Sequence, residues 1–228
     1  MSTEIDGRLR INVKRLLEFF DEKPGESVGH ATAIVGVIGE DLGAGLLKHY
    51  LEHTRNAKVG ILPETPRTGN KKGPWLDRWI DVVWPDGSGQ IYQTEIKNWS
   101  AHAFGGQRIL KVDAPQNEVS RFGIKRWQEH ARGMHWKAIN KVLTLMKKPQ
   151  DVDASHTVEP LLIYWWVIHP EGLNESFFSH DLGTSTGFSR LWLFSMSSYL
   201  RGLNEAAIEL EMPNAANRVS WLHELFLA

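Results

Sequence analysis

Residues 75–100 read WLDRWIDVVWPDGSGQIYQTEIKNWS, and the fold turns on how this stretch pairs with itself. Two runs rich in β-branched and aromatic residues, Trp79 to Trp84 and Ile91 to Ile96, flank Pro85-Asp86-Gly87-Ser88-Gly89. Such runs around a cluster of turn formers predict a β-hairpin. Asp81 lies on its first strand and Glu95-Ile96-Lys97 on its second. Side chains alternate along a strand, so Glu95 and Lys97 project together and Ile96 projects the other way. A tip at Gly87 to Gly89 sets Asp86 opposite Gln90 and, by count, Asp81 opposite Glu95. Two carboxylates and an ammonium then converge on one sheet face. Like charges held side by side call for a cation between them, and a divalent metal ion suits that position.

Working outward, Arg8 to Phe20 has the spacing of a short amphipathic helix, closed by Asp21-Glu22-Lys23-Pro24-Gly25. Ser27 then caps a long predicted helix, about Val28 to His53, with apolar residues at Ile34, Val37, Ile38, Leu42, Leu46, Leu47, Tyr50 and Leu51. Glu40 lies within it, with Gly36, Gly43 and Ala44 one turn away. Each helical glycine costs roughly 1 kcal/mol of propensity, which suggests close approach to another element. This face is therefore expected to lie against the sheet and deliver Glu40 to its edge. Ala57 to Leu62 reads as the first strand, and the loop after it is polar and basic. Beyond the hairpin come a connection to Gln116, a basic helix over about Glu118 to Met146, and the wholly apolar run Leu161 to Ile168. Such a run fits a strand covered on both faces. Arg190 to Ser195 reads as a further strand, with helical segments near Ser197 to Leu210 and Asn214 to Leu227. The expected class is α/β: a layered sheet with helices on both sides.

The chain of 228 residues has the size of one domain. Without cysteine it can form neither disulfides nor thiolate metal sites. Its polar start, MSTEIDGRLR, and the lack of any membrane-length apolar run fit a cytoplasmic protein with no membrane partner. The net charge of −1 conceals an asymmetry. Residues 55–148 hold 17 Lys and Arg against 8 Asp and Glu, and the remainder 9 against 19. A basic surplus around the hairpin is ordinary for a solvated helix face; beside a metal site it suits a polyanionic substrate.

Helix with Glu, strand, strand with Asp, strand with Glu-x-Lys, helix, strand: this order resembles the core of the PD-(D/E)XK nuclease superfamily. The match spans about Val28 to Ile168. The resemblance implies a three-layer restriction-endonuclease-like core, α-β-β-β-α-β around a central mixed sheet, within a single domain over residues 1–228. The core is then about 28–168, with the N-terminal helix 8–20 and the segment 189–228, mostly helical, as additions. The Glu-x-Lys tripeptide by itself arises easily, as Asp21-Glu22-Lys23 illustrates in a polar turn. Pro85-Asp86 spells the family signature literally, yet it sits at the hairpin tip. Five residues at ~3.3 Å each hold it about 16 Å from Glu95. Asp81 is the better ligand, and Asp77, on the same strand face, replaces it if the register shifts by four.

The chemistry the resemblance implies is metal-dependent hydrolysis of phosphodiester bonds, with DNA as the expected substrate. Carboxylate oxygens are hard ligands suited to Mg²⁺ or Mn²⁺. Asp81, Glu95 and the carbonyl of Ile96 would bind the ion. Lys97 would hold or deprotonate the attacking water, or stabilise transition-state charge, and Glu40 would bind a second ion or its water shell. Arg67, Lys71, Lys72, Arg108, Lys111, Arg121 and Lys125 are candidates to track phosphates. Ser100 and Gln128 are placed near phosphate by the resemblance. The ten Trp fit a core better than stacking platforms. A homodimer suits double-strand cutting. Two alternatives stand beside this reading. The fold could hold DNA or a protein without cutting. His49-x-x-Glu52-His53 spells a zinc-protease motif, with Glu118 or Glu129 needed as third ligand; surface histidines are the simpler account.

Overall fold

The structure is a computed structural model and describes residues 7–22, 28–62, 78–97, 110–132, 155–182 and 188–226. Its centre is the expected hairpin, β3 (Arg78–Val83) and β4 (Gly89–Lys97). The tip is set two residues earlier than its sequence suggests. Gly87 N donates to Trp84 O at 2.9 Å, and Trp84 N to Ser88 O at 2.9 Å, with Gly87 at φ 85°. This is a three-residue loop, Pro85 to Gly87, in which a turn passes into a left-handed glycine. Pro85 is pre-set for the second turn position, and Asp86 Oδ1 accepts from Ser88 N at 2.9 Å and Ser88 Oγ at 2.6 Å. Moving the tip by two moves the pairing by four. Asp81 stands opposite Ile91, and Arg78 opposite Thr94.

β2 (Lys58–Ile61) pairs antiparallel with β3, and β5 (Thr157–Tyr164) runs parallel to β4. β6 (Phe177–Asp181) and β7 (Arg190–Ser195) complete a mixed six-stranded sheet in the order β2-β3-β4-β5-β7-β6. β5 is covered on both faces as its apolar run requires, and Trp165 to Ile168 continue buried beyond the strand. Trp79, Trp165 and Trp166 are all in the core.

The helix α2 (Val28–Arg55) covers one face. A Cβ added to Gly43 would lie 2.7 Å from Ile96 Cγ2 and 3.4 Å from Ile163 Cγ2, so helix and sheet touch where the glycine is. Gly43→Ala is expected to cost about 1–3 kcal/mol through overpacking, read as a lower denaturation midpoint with an unchanged slope. Because Ile96 faces α2, Glu95 and Lys97 face the opposite side. There Leu162, Tyr164, Phe178 and Leu193 meet Trp127 of α3 (Gln116–Arg132).

Two segments differ from the helices expected of them. Residues 8–20 begin as β1 (Arg8–Asn12), pass into α1 (Val13–Leu17) and end in a π-turn, Glu18–Glu22. Residues 197–210 divide between α4 (Met196–Gly202) and β8 (Ala207–Glu211). β1 and β8 form an antiparallel ribbon in which Arg8 faces Glu211 and Arg10 faces Glu209. Leu9, Ile11, Ile208 and Leu210 alternate with these charges, and cross-strand pairing decides in favour of period two. The final helix is α5 (Pro213–Phe226).

A buried polar knot ties the N-terminal π-turn to the core. Asp21, 1% exposed, accepts from Trp165 Nε1 at 2.6 Å, Ser197 Oγ at 3.1 Å and Arg201 Nη2 at 2.8 Å. Arg201 also donates to the carbonyls of Lys111 and Val112 at 2.9 and 3.0 Å. Burial pushes the Asp21 carboxyl above its ordinary range, against the pull of Arg201.

Candidate functional site

Strand alternation brings Glu95 and Lys97 together at the end of β4. Glu95 is 1% exposed, and its Oε1 lies 2.5 Å from Lys97 Nζ. In the parallel ladder Glu95 neighbours Leu162 and Lys97 neighbours Tyr164. Burial, reinforced by the negative charge of Glu95, pushes the Tyr164 phenol up from its ordinary value. A carboxylate in so dry a place is a strong acceptor, and its ammonium partner, 22% exposed, reaches the surface.

Asp81 is not part of this pair. It shares the face of Glu95, since Ile91 opposite it and Glu95 have the same parity. Four residues along β4 at ~3.3 Å each nevertheless separate the two levels by about 13 Å, too far for one metal ion. Its partner is His156, whose Nε2 lies 3.4 Å from Asp81 Oδ1. The shift of four is the one under which Asp77 replaces Asp81; Asp77 itself lies outside the described residues. So do Arg67, Lys71, Lys72, Ser100 and Arg108.

Glu40 is also engaged elsewhere. Its Oε2 meets Arg78 Nη1 at 2.5 Å, and Arg78 Nη2 meets Asp41 Oδ1 at 2.8 Å. Arg78 pairs with Thr94 and so has the parity of Ile96, the α2 side, away from Glu95. The close approach of α2 was legible in its glycines; the guanidinium that claims Glu40 was not. Asp41 is the more buried acid, and it accepts from Asn214 Nδ2 at 3.0 Å and Ala215 N at 2.9 Å, closing the start of α5. Burial raises its pKa, but the hydrogen bonds from Arg78, Asn214 and Ala215 prevail and hold it below the ordinary carboxylate value. A folded pKa below the unfolded one means stability present above the unfolded value and lost as pH falls through the folded value. The unaltered protein is therefore expected to lose more stability than Asp41→Asn between about pH 5 and pH 3. Denaturant titrations at both pH values measure the difference.

No family model, curated protein or solved structure matches the chain.

Among the described residues no three His, Asp or Glu side chains gather to hold a metal ion. The donors that the end of β4 offers, the Glu95 carboxylate and the Ile96 carbonyl, are hard oxygens of the type Mg²⁺ takes. They are right in kind and need a second carboxylate. The zinc-protease spelling fits less well. His49 Nδ1 is 2.5 Å from Tyr199 Oη, His53 Nδ1 bonds the His49 carbonyl at 2.9 Å, and Glu52 is 3.5 Å from Lys48 Nζ. Glu129 pairs with Arg126 at 3.0 Å on α3, across the sheet from α2. Arg121, Lys125 and Gln128 are exposed at successive turns of α3, and Lys111 is exposed just before it. Neither of two sizeable grooves borders Glu95. Trp84 lines both, one beside the hairpin tip and the other beside β6 and Trp192 of β7. No local pattern marks His156, which meets Asp81 only through the fold.

Proposed function

We propose that the chain is a divalent-metal-dependent nuclease of the PD-(D/E)XK type, cutting DNA. The observation that carries the reading is the buried Glu95 carboxylate bonded to Lys97 at the end of a central strand. The setting supports it: a long helix, three antiparallel strands, a helix, and a fourth strand parallel to the third. This order and pairing supports the restriction-endonuclease-like core of this reading.

In this reading Glu95 and the Ile96 carbonyl are ligands, with Asp77 as the second carboxylate that the shifted register calls for. Bound Mg²⁺ or Mn²⁺ would supply charge neutralisation at the scissile phosphate and a more acidic attacking water. Lys97, held by Glu95, orients the attacking water or offsets the charge growing on phosphate oxygens. Lys111, Arg121, Lys125 and Gln128 form an exposed polar stripe suited to contacting a phosphate backbone without reading sequence. Glu40 serves as the anchor of Arg78.

Cleavage of supercoiled plasmid in Mg²⁺, with paired aspartate variants, tests this. Asp77→Asn is expected to lower the rate by on the order of 10²–10³-fold, and Asp81→Asn to leave cleavage in place. The reverse ranking would reject the assignment of ligands. Cleavage unaffected by Lys97→Ala would reject the nuclease reading.

A further inference from the structure

A second cluster lies at the opposite end of β4, and the metal-dependent reading makes no use of it. His156 rests on the backbone of Gly89: a Cβ added there would sit 2.5 Å from His156 Cδ2. Its Nε2 faces Asp81 Oδ1 at 3.4 Å, and its Nδ1 faces Ser155 Oγ at 3.3 Å. Among the described residues Asp81 Oδ1 is buried without a hydrogen bond, and the His156 imidazole is the group that faces it. The Ser155 side is exposed and opens on a groove of about 470 Å³, lined also by Trp84, Glu159 and Arg190. Arg190 Nε is bonded to Glu159 at 2.9 Å, which fixes the guanidinium at the rim.

We propose that Ser155, His156 and Asp81 form a hydrolytic relay acting on small carboxylic esters that enter this groove. A proton on Nε2 facing Asp81 leaves Nδ1 to accept from the Ser155 hydroxyl, the usual division of roles with the two ring nitrogens exchanged. At 3.3 and 3.4 Å both separations are longer than those of a working relay, and substrate entering the groove would draw them in. Ser155 Oγ attacks the carbonyl carbon and its proton passes to Nδ1. The bond to the alcohol breaks, and Nδ1 returns the proton to the leaving alkoxide. Water then attacks the acyl-serine and gives a proton to Nδ1, the bond from the acyl carbon to Ser155 Oγ breaks, and Nδ1 returns the proton to Oγ as the acid leaves. Arg190 is the groove cation available to the carbonyl oxygen as it gains charge. Asp81 and Gly89 are positioning residues: one sets the tautomer, the other leaves room for the ring.

The test is labelling with a fluorophosphonate, in which the serine–phosphorus bond forms as fluoride leaves. One adduct per chain is expected, mapped by peptide mass to Ser155. His156→Gln and Gly89→Ala are each expected to slow labelling at least tenfold, with melting curves that confirm folding. Gly89→Ala keeps the test open should the histidine variant not fold. Labelling spread over surface serines, or a rate indifferent to both substitutions, would overturn the relay and leave His156 as a brace for Asp81. Neither result bears on plasmid cleavage, since Glu95 and Lys97 lie at the other end of the strand.

Discussion

Glu95→Gln is expected to lower the proposed metal-dependent cleavage by on the order of 10³-fold while the protein stays folded. The substitution keeps the shape of a side chain that is 1% exposed among Leu162 and its neighbours, so no cavity opens. What it removes is one unit of negative charge. The proposed metal site loses its ionic oxygen ligand, and Lys97 loses the partner 2.5 Å away that sets its position. Lys97 can turn its ammonium to water, being 22% exposed, which keeps the stability cost near 1 kcal/mol rather than that of a stranded buried cation. Plasmid cleavage, Mn²⁺ titration and thermal melting on one preparation separate these effects. A variant that melts normally and cuts at the unaltered rate would remove Glu95 from the reaction.

The largest effect on stability is expected from Arg201→Met. Arg201 joins the Asp21 carboxylate to the carbonyls of Lys111 and Val112, bringing the π-turn, α4 and the entry to α3 to one guanidinium. Without it a 1%-exposed carboxylate keeps, among the described residues, only Trp165 and Ser197 as donors. Removing one partner of a buried pair costs about 3–5 kcal/mol, which for a domain of this size lowers the melting temperature by about 10 °C. Asp21→Asn in the same chain is expected to recover part of the loss, because the charge that needed a partner is gone. A double variant as unstable as the sum of the singles would mean that the two residues do not act as a pair.

Much of the architecture was legible because it rests on local pattern. The hairpin, the two-sided strand at Leu161 and the helix carrying Gly43 each announce themselves through period, turn residues or small side chains. The pairing register did not, because Gly87 and Gly89 are both credible tip glycines. Only the Trp84–Gly87 turn chooses between them. That choice moves Asp81 from Glu95 to Ile91 and gives it to His156. The strand at Arg8 was hidden for another reason: its partner lies near the far end of the described chain, where no window of neighbouring residues can find it. Glu40 was correctly set on a helix that touches the sheet, but an arginine from β3 decides its role.

The β1–β8 ribbon bears on how the chain emerges from a ribosome. β1 is synthesised early and must wait, with Leu9 and Ile11 unsheltered, until Ala207 to Glu211 has left the exit tunnel. Contacts so remote in sequence slow the search for the native state. Nascent chains arrested before β8 should bind holdase chaperones through this N-terminal stretch and release them once β8 is out.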